Sequence, residues 1–392
     1  MDELEIKAEA VISPAGARRL RQGHLWVYAA DVVREPEDPA VPIVRVVDSA
    51  ANVQGYALYS RQSQIRLRFL SRDSNPPTSQ LFRDRLKAAV QRRAGMLGPG
   101  TACRLVFGEA DLLPSIVVDR YGDYLVLQTL SYGADTLRSK LVTWLEEELR
   151  PAGVVERNDV KARRLEGLEL RKGLLAGSVP ERVEITEAGV RFQVDLLGGQ
   201  KTGFFLDQRD DRVAAARYAS GAALDCFTNT GAFALHFAQG CESVTAVDTS
   251  AESIAQGRTN ALLNGVTNVE FIEANVFDLL REMEQGGRRF DLICLDPPAF
   301  AKNRSSLAGA KGGYKELNLR AMKLLKPEGV LVTSSCSFHL SESAFVTILQ
   351  QAAHDARRYV QVLERRGQSR DHPVLIGMPE TLYLKCFILR IL

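Results

Sequence analysis

One cysteine stands where the residues around it could do chemistry. The apolar run Gly329–Ser335 reads as a buried strand, and Thr333-Ser334-Ser335-Cys336-Ser337 ends it. A second such run, Phe290–Leu295, ends in Asp296-Pro297-Pro298-Ala299-Phe300. Proline fixes φ and donates no N–H, so a carboxylate followed by two prolines sits on a rigid shelf. A thiol and a carboxylate at neighbouring strand ends suit methylation at carbon 5 of a pyrimidine. That carbon is too poor a nucleophile to attack an electrophilic methyl group unaided. A thiolate adding to C6 makes C5 enamine-like, after which C5 takes the methyl and the thiol leaves by elimination. Asp296 would hydrogen-bond the Watson–Crick edge of the ring. Cys103, Cys226, Cys241, Cys294 and Cys386 read instead as small buried hydrophobes. No C-x-x-C pair suggests a disulfide framework or a zinc site, so no metal is expected.

The strand end that would hold a cofactor reads Asp225-Cys226-Phe227-Thr228-Asn229-Thr230-Gly231-Ala232-Phe233. It is not G-x-G-x-x-G, so the pyrophosphate turn of a dinucleotide binder is missing. The pattern D-x-F-x-x-x-G-x-F instead resembles motif I of class I S-adenosylmethionine methyltransferases. That resemblance implies a cofactor site on Asp225, Phe227 and Gly231, with Gly231 admitting close backbone approach for want of a Cβ. Asp248 ends the next strand, where an acid can accept hydrogen bonds from both ribose hydroxyls. Asn275, ending the third, would contact the adenine edge, and Asp296 would share the cofactor cleft.

These residues need a scaffold that brings strand ends together. From about residue 185 the pattern is a strand–helix alternation. Its strands are 222–227, 243–248, 269–274, 290–295 and 329–335, and its helices include 250–264 and 314–326. Repeated β-α units imply a parallel sheet with helices on both faces and ligands at the carboxyl ends of the strands. The apolar run 382–392 is expected to add an edge strand. Residues 1–72 read as short β segments, among them 43–47 and 65–69, followed by the linker Ser71–Thr78. Residues 79–184 read as a middle α/β domain with helices at 81–96 and 137–149 and a strand at 125–130. The expected division is therefore 1–72, 79–184 and 185–392.

The net charge of the 392-residue chain is only +2, so nucleic acid is not announced globally. Locally, no acid occurs between Ala10 and Ala30 or between Ser49 and Arg72. These stretches hold Arg18, Arg21, Arg66 and Arg68, with the last two on one face of an alternating strand. A basic face of this kind suits an RNA backbone, a solvated face being the plain alternative. No apolar run approaches the roughly 18 residues a membrane span needs. The acidic start Met1–Glu5 is unlike a secretory signal, and a cytoplasmic location is expected.

Over nearly its whole length the sequence resembles the bacterial PUA-domain cytosine-C5 methyltransferases of large-subunit rRNA. Gly23-His24-Leu25-Trp26-Val27-Tyr28 is similar to the family's G-x-x-W-V-Y/F segment. Gly108–Pro114, Val118–Asp123 and Glu156–Asp159 resemble further signatures, and Lys201-Thr202-Gly203-Phe204-Phe205-Leu206-Asp207-Gln208-Arg209 is the most specific. Asp371-His372-Pro373 and Pro379-Glu380-x-x-Tyr383-Leu384-Lys385 close the likeness. The resemblance implies a Rossmann-like methyltransferase domain behind a PUA-like RNA-binding domain and a middle domain. It makes Cys336 the nucleophile, with Asp296 in the cleft. Gln208 and Arg209 join Asp225, Phe227, Gly231, Asp248 and Asn275 around S-adenosylmethionine. The partner implied is large-subunit rRNA, and a homodimer stays open. The chain departs from the family at Ala299, commonly lysine, at Asn229, commonly tyrosine nearby, and at Leu113 and Ser115, commonly glycine. Uracil C5, an exocyclic amine, or an RNA-binding assembly role without turnover remain the alternatives.

Overall fold

The computed structural model describes residues 6, 8–300 and 307–392; the acidic start Met1–Glu5 lies outside the described residues. The chain forms two compact units. One comprises the chain up to Ile185 with Val194–Leu206 and Asp371–Thr381, and the other comprises Thr186–Gln193, Asp207–Arg370 and Leu382–Leu392.

In the first unit, β1 (Glu9–Ile12), β2 (Trp26–Tyr28), β3 (Val32–Arg34), β4 (Ile43–Asp48), β5 (Val53–Tyr59) and β6 (Ile65–Ser71) form a sheet in the order β2-β6-β5-β4-β1-β3. Helix α1 (Pro14–Arg21) begins cleanly because Ser13 Oγ accepts from Gly16 N at 3.1 Å and proline fills the first turn. Val27, Val44, Val46, Ala57, Leu67 and Phe69 build the core beneath it. A second sheet, ordered β11-β10-β9-β8-β7, is made of β7 (Ala102–Phe107), β8 (Ile116–Tyr121), β9 (Tyr124–Thr129), β10 (Gly153–Asn158) and β11 (Arg171–Gly177). Helices α2 (Ser79–Arg92) and α4 (Arg138–Leu149), the latter following the short α3 (Tyr132–Thr136), pack Phe82 against Trp144 with ring centroids 5.4 Å apart. Ser115 holds φ at +63°, which explains why glycine suits that position.

The basic face expected of β6 is not formed by Arg66 and Arg68. Strand β6 lies inside its sheet between β2 and β5. Arg68 is buried and pairs with Glu166 at 2.8 Å, and Arg66 lies 3.0 Å from Glu35. Both guanidinium groups are thus committed within the fold, since a covered cation needs an anion beside it. Arg18 and Arg21, on α1, are exposed. Trp26 is half-buried and donates from Nε1 to Glu109 at 2.8 Å. His372 is buried 3.0 Å from Asp371.

A hairpin of β12 (Val183–Glu187) and β13 (Val190–Val194) precedes the second unit's main sheet. That sheet contains β14 (Ala222–Cys226), β15 (Ser243–Asp248), β16 (Val269–Glu273), β17 (Phe290–Leu295), β18 (Leu325–Ser335), β19 (Val360–Arg366) and β20 (Lys385–Ile391). Their order is β16-β15-β14-β17-β18-β20-β19, the first five parallel and β20 antiparallel to both neighbours. The last strand is therefore interior, not an edge. Its residues Cys386–Leu389 are buried, which explains an unbroken apolar run better than an edge does. The edge falls to β19, whose sequence Val360-Gln361-Val362-Leu363-Glu364-Arg365-Arg366 ends in three charged residues and offers no continuous apolar run. Helices α5 (Arg209–Ala216), α6 (Ala232–Phe237), α7 (Ala251–Leu263), α8 (Val276–Gln285), α9 (Leu307–Leu324) and α10 (Glu342–Ala356) connect the strands. Among the described residues no helix is long and apolar enough to cross a membrane.

Candidate active site

Strand order reverses at β14, whose neighbours β15 and β17 follow different crossovers, and ligands bind at such switch points in open α/β sheets. The turn after β14 is shaped for that use. Phe227, Asn229 and Gly231 all have positive φ, at +64°, +51° and +83°. Left-handed residues interleaved in a turn point successive N–H groups to one side, a concavity that receives polar ligand atoms. A Cβ on Gly231 would sit 3.0 Å from the Phe271 ring, so glycine is required by conformation and by Phe271. Gly231→Ala is expected to destabilise the turn by about 1–2 kcal/mol. Calorimetry with S-adenosylhomocysteine should then show affinity falling roughly tenfold.

The acids of the turn are placed differently from one another. Asp225 is buried, and its Oδ2 accepts from Thr228 Oγ1 at 2.5 Å and from Ala234 N at 3.0 Å. It braces the strand, the turn and the start of α6. Asp248 is half-buried at the end of β15 and accepts from Asn229 N at 2.9 Å and Ser250 N at 3.0 Å. Asn275 is exposed and caps α8, its side chain accepting from Phe277 N at 2.9 Å. Gln208 is buried at the start of α5, with its Oε1 lacking a protein partner. Arg209 is half-buried with Nε 3.1 Å from Asp210.

Burial, reinforced by repulsion from Asp296, pushes Asp225 up to about 7. Asp211 on α5 also rises to about 7, through burial and despite its ion pair with Arg366 at 2.8 Å. Between the ordinary value of 3.8 and about 7 the folded chain keeps protons that the unfolded chain has lost. Their stabilising contribution is full below that window and is lost as pH rises through it. Asp225→Asn should flatten the fall in melting temperature between about pH 4 and about pH 7; an unchanged slope there would contradict the assignment.

The register Leu295↔Thr333 sets Asp296 and Cys336 at adjoining carboxyl ends of β17 and β18. Asp296 is half-buried, and its N–H donates to Cys226 O at 3.4 Å. Of the six cysteines Cys336 alone is half-exposed; the others are buried. Burial raises the thiols of Cys226, Cys294 and Cys386 well above their ordinary value, as inert core cysteines require. Tyr314 of α9 clasps the chain on both sides of Cys336: its hydroxyl receives a hydrogen bond from Ser335 Oγ at 2.9 Å and lies 3.0 Å from Ser337 Oγ.

Residues 167–378 match the family model of the S-adenosylmethionine-dependent methyltransferases, and residues 11–72 match that of the PUA-like domain. A Klebsiella pneumoniae protein named ribosomal RNA large subunit methyltransferase I is 40% identical over 391 residues, covering 97% of this chain and 98% of that protein. One of the same name from Photobacterium profundum is 42% identical over 380 residues, covering 94% and 96%. The chain belongs to the ribosomal RNA large subunit methyltransferase I family.

As a member of the ribosomal RNA large subunit methyltransferase I family, the chain uses S-adenosylmethionine as its cofactor. In fold it is similar to a solved structure described as a methyltransferase complexed with SAH, at 21% identity, 97% and 99% coverage and a TM-score of 0.84. A SAM-dependent methyltransferase structure from Streptococcus mutans gives 22% identity, the same coverage and a TM-score of 0.83. The residues present fit the cofactor: a left-handed turn, a carboxylate at the next strand end and a buried, unmatched Gln208 oxygen are what a nucleoside with a polar tail needs. In this ribosomal RNA large subunit methyltransferase I family member, the sequence reading passed over three groups near the site. Asp211, Tyr314 and Lys385 carry no motif of their own, and only the P-E-x-x-Y-L-K resemblance drew notice to the last.

Proposed function

We propose that this chain forms 5-methylcytosine in large-subunit ribosomal RNA, in the cytoplasm, through a covalent bond between Cys336 Sγ and C6 of the target base. The observation that carries the reading is the half-exposed Cys336 and the carboxylate of Asp296 at adjoining carboxyl ends of β18 and β17. The names of the chain's relatives support the RNA, and Ala299 supports C5 over an exocyclic amine. Amine methylators usually place an aromatic stacker directly after the prolines, and Ala299 offers none. Arg18 and Arg21 on α1 are the cations proposed to meet the RNA backbone.

Bound S-adenosylmethionine supplies a methyl group on a sulfonium. Gln208, Arg209, Asp248 and Asn275 are proposed to contact the cofactor, with Phe227 and Gly231 shaping its turn and Asp225 bracing it. Cys336 Sγ adds to C6, and the C5=C6 electron pair moves onto C5 as Asp296 holds the ring's hydrogen-bonding edge. C5 would then carry the methyl that S-adenosylmethionine supplies, its sulfonium leaving as a neutral thioether, and transfer of the C5 proton to solvent would restore the C5=C6 bond and expel the Cys336 thiolate.

The test is nucleoside mass spectrometry of rRNA from cells lacking the gene, with wild type or Cys336→Ala added back. Loss of one 5-methylcytosine, restored only by wild type, is the expected result. A different missing nucleoside would overturn the cytosine assignment, and unchanged rRNA would overturn the substrate.

A further inference from the structure

Lys385 begins β20 opposite Ser335 and is 7% exposed. Among the described residues no carboxylate pairs with it. Its Nζ donates instead to the carbonyls of Ser337 at 2.8 Å and Leu340 at 2.9 Å, the turn that directly follows Cys336. An ammonium has three donors, so one remains uncommitted. Burying a cation without an acid is costly, and such groups persist where an anion forms nearby in function.

The titratable groups around Lys385 among the described residues include Cys336 at the end of β18, Tyr314 from α9, Glu342 from α10, Arg365 and Arg366 from β19, and Tyr383 just before β20, whose hydroxyl donates to Asp207 at 2.6 Å. Glu342 is taken by Arg365, and Arg366 is shared by Asp211 and Glu364. Tyr314 is neutral, its pKa raised by burial above 10.0, and it is held by Ser335 and Ser337. Charge on Cys336 acts on Lys385, and the two carbonyls that hold the ammonium belong to the turn that begins at the residue after the thiol. We propose that Lys385 is the counter-ion of the Cys336 thiolate, a positioning residue anchored by the two carbonyls that follow the nucleophile. Burial pulls Lys385 down to about 8 while charge on Cys336 opposes this, so the ammonium persists at neutral pH and is coupled to the thiol. The inference rests on Cys336 being the nucleophile, and it gives the closing P-E-x-x-Y-L-K motif a function.

The test follows iodoacetamide alkylation of Cys336 in the full chain from about pH 5 to about pH 10, read by peptide mass spectrometry. The wild-type midpoint should lie below the free-thiol value of about 8.5. Lys385→Gln, which keeps an N–H donor but no charge, should raise the midpoint by about one unit, slowing alkylation roughly tenfold at neutral pH. Lys385→Arg should restore most of the rate. A wild-type midpoint at or above the free-thiol value overturns the proposal, as does a folded Lys385→Gln protein with an unmoved midpoint. Should Lys385→Gln unfold, buried Cys226 and Cys294 will be alkylated too, and the wild-type and Lys385→Arg midpoints then decide. Methyl transfer by Cys336→Ala is scored separately: if retained, it ends the nucleophile reading, whatever the thiol titration shows.

Discussion

Cys336→Ala is expected to lower methyl transfer to RNA by roughly three orders of magnitude or more. Without the thiolate nothing pushes electrons onto C5, and the step that remains is attack by an unactivated vinyl carbon. The loss should fall on turnover. Cys336 is half-exposed and lies beyond the last residue of β18, so removing its sulfur leaves little core unfilled. Affinity for S-adenosylhomocysteine and the melting temperature should therefore stay near wild type. Cys336→Ser should be almost as slow, because a hydroxyl is a far weaker nucleophile than a thiolate at neutral pH. RNA carrying 5-fluorocytosine at the target provides the converse observation. Sulfur can still add to C6 and the methyl can still arrive, but no C5 proton is left to lose, so elimination stops. A protein–RNA adduct stable to denaturing electrophoresis should form with wild type and be absent with Cys336→Ala. Undiminished transfer by Cys336→Ala would point to an exocyclic amine.

Glu187→Gln should strongly destabilise the second unit. Glu187, at the end of β12, receives both arms of Arg212 on α5 at 2.6 and 2.7 Å, and His236 of α6 lies 3.1 Å away. All three are almost wholly buried. Burial by itself would raise the carboxyl, but the charge and hydrogen bonds of Arg212, with His236, hold it down at about 2. Removing one partner of a buried pair strands the other charge, at a cost of about 3–5 kcal/mol. In a unit of this size that corresponds to a fall in melting temperature on the order of 10 °C. Cofactor affinity should fall as well, since α5 begins directly after Gln208. The double replacement Glu187→Leu with Arg212→Met should recover most of the loss, because two apolar groups replace two paired charges. A double mutant as unstable as Glu187→Gln would place the cost in packing. The pH dependence has the opposite sign to that of Asp225. Glu187 contributes stability above its ordinary value of 4.5, and that contribution is lost as pH falls from there towards about 2.

The sequence alone was enough to read the order of β-α units and the residues at each strand end. Both are written in short-range signals: apolar runs of strand length, and acids, prolines and glycine directly after them. Asp225, Gly231, Asp248 and Asp296 stand where those runs stop, and β17 and β18 end within a residue of where periodicity puts them. Tertiary structure decided what pairs with what. The alternation Ile65–Phe69 gave β6 a polar face in a two-sided strand, but Glu166 lies 98 residues from Arg68 and closes that face. The run 382–392 is apolar because β20 is flanked on both sides, and no local signal says that β19 lies outside it. Glu187 with Arg212, and Lys385 with the carbonyls of Ser337 and Leu340, are likewise partnerships between residues distant in sequence. Spacing along a chain records the conformation of neighbours; the partner of a buried charge is chosen by which surfaces the fold removes from water together.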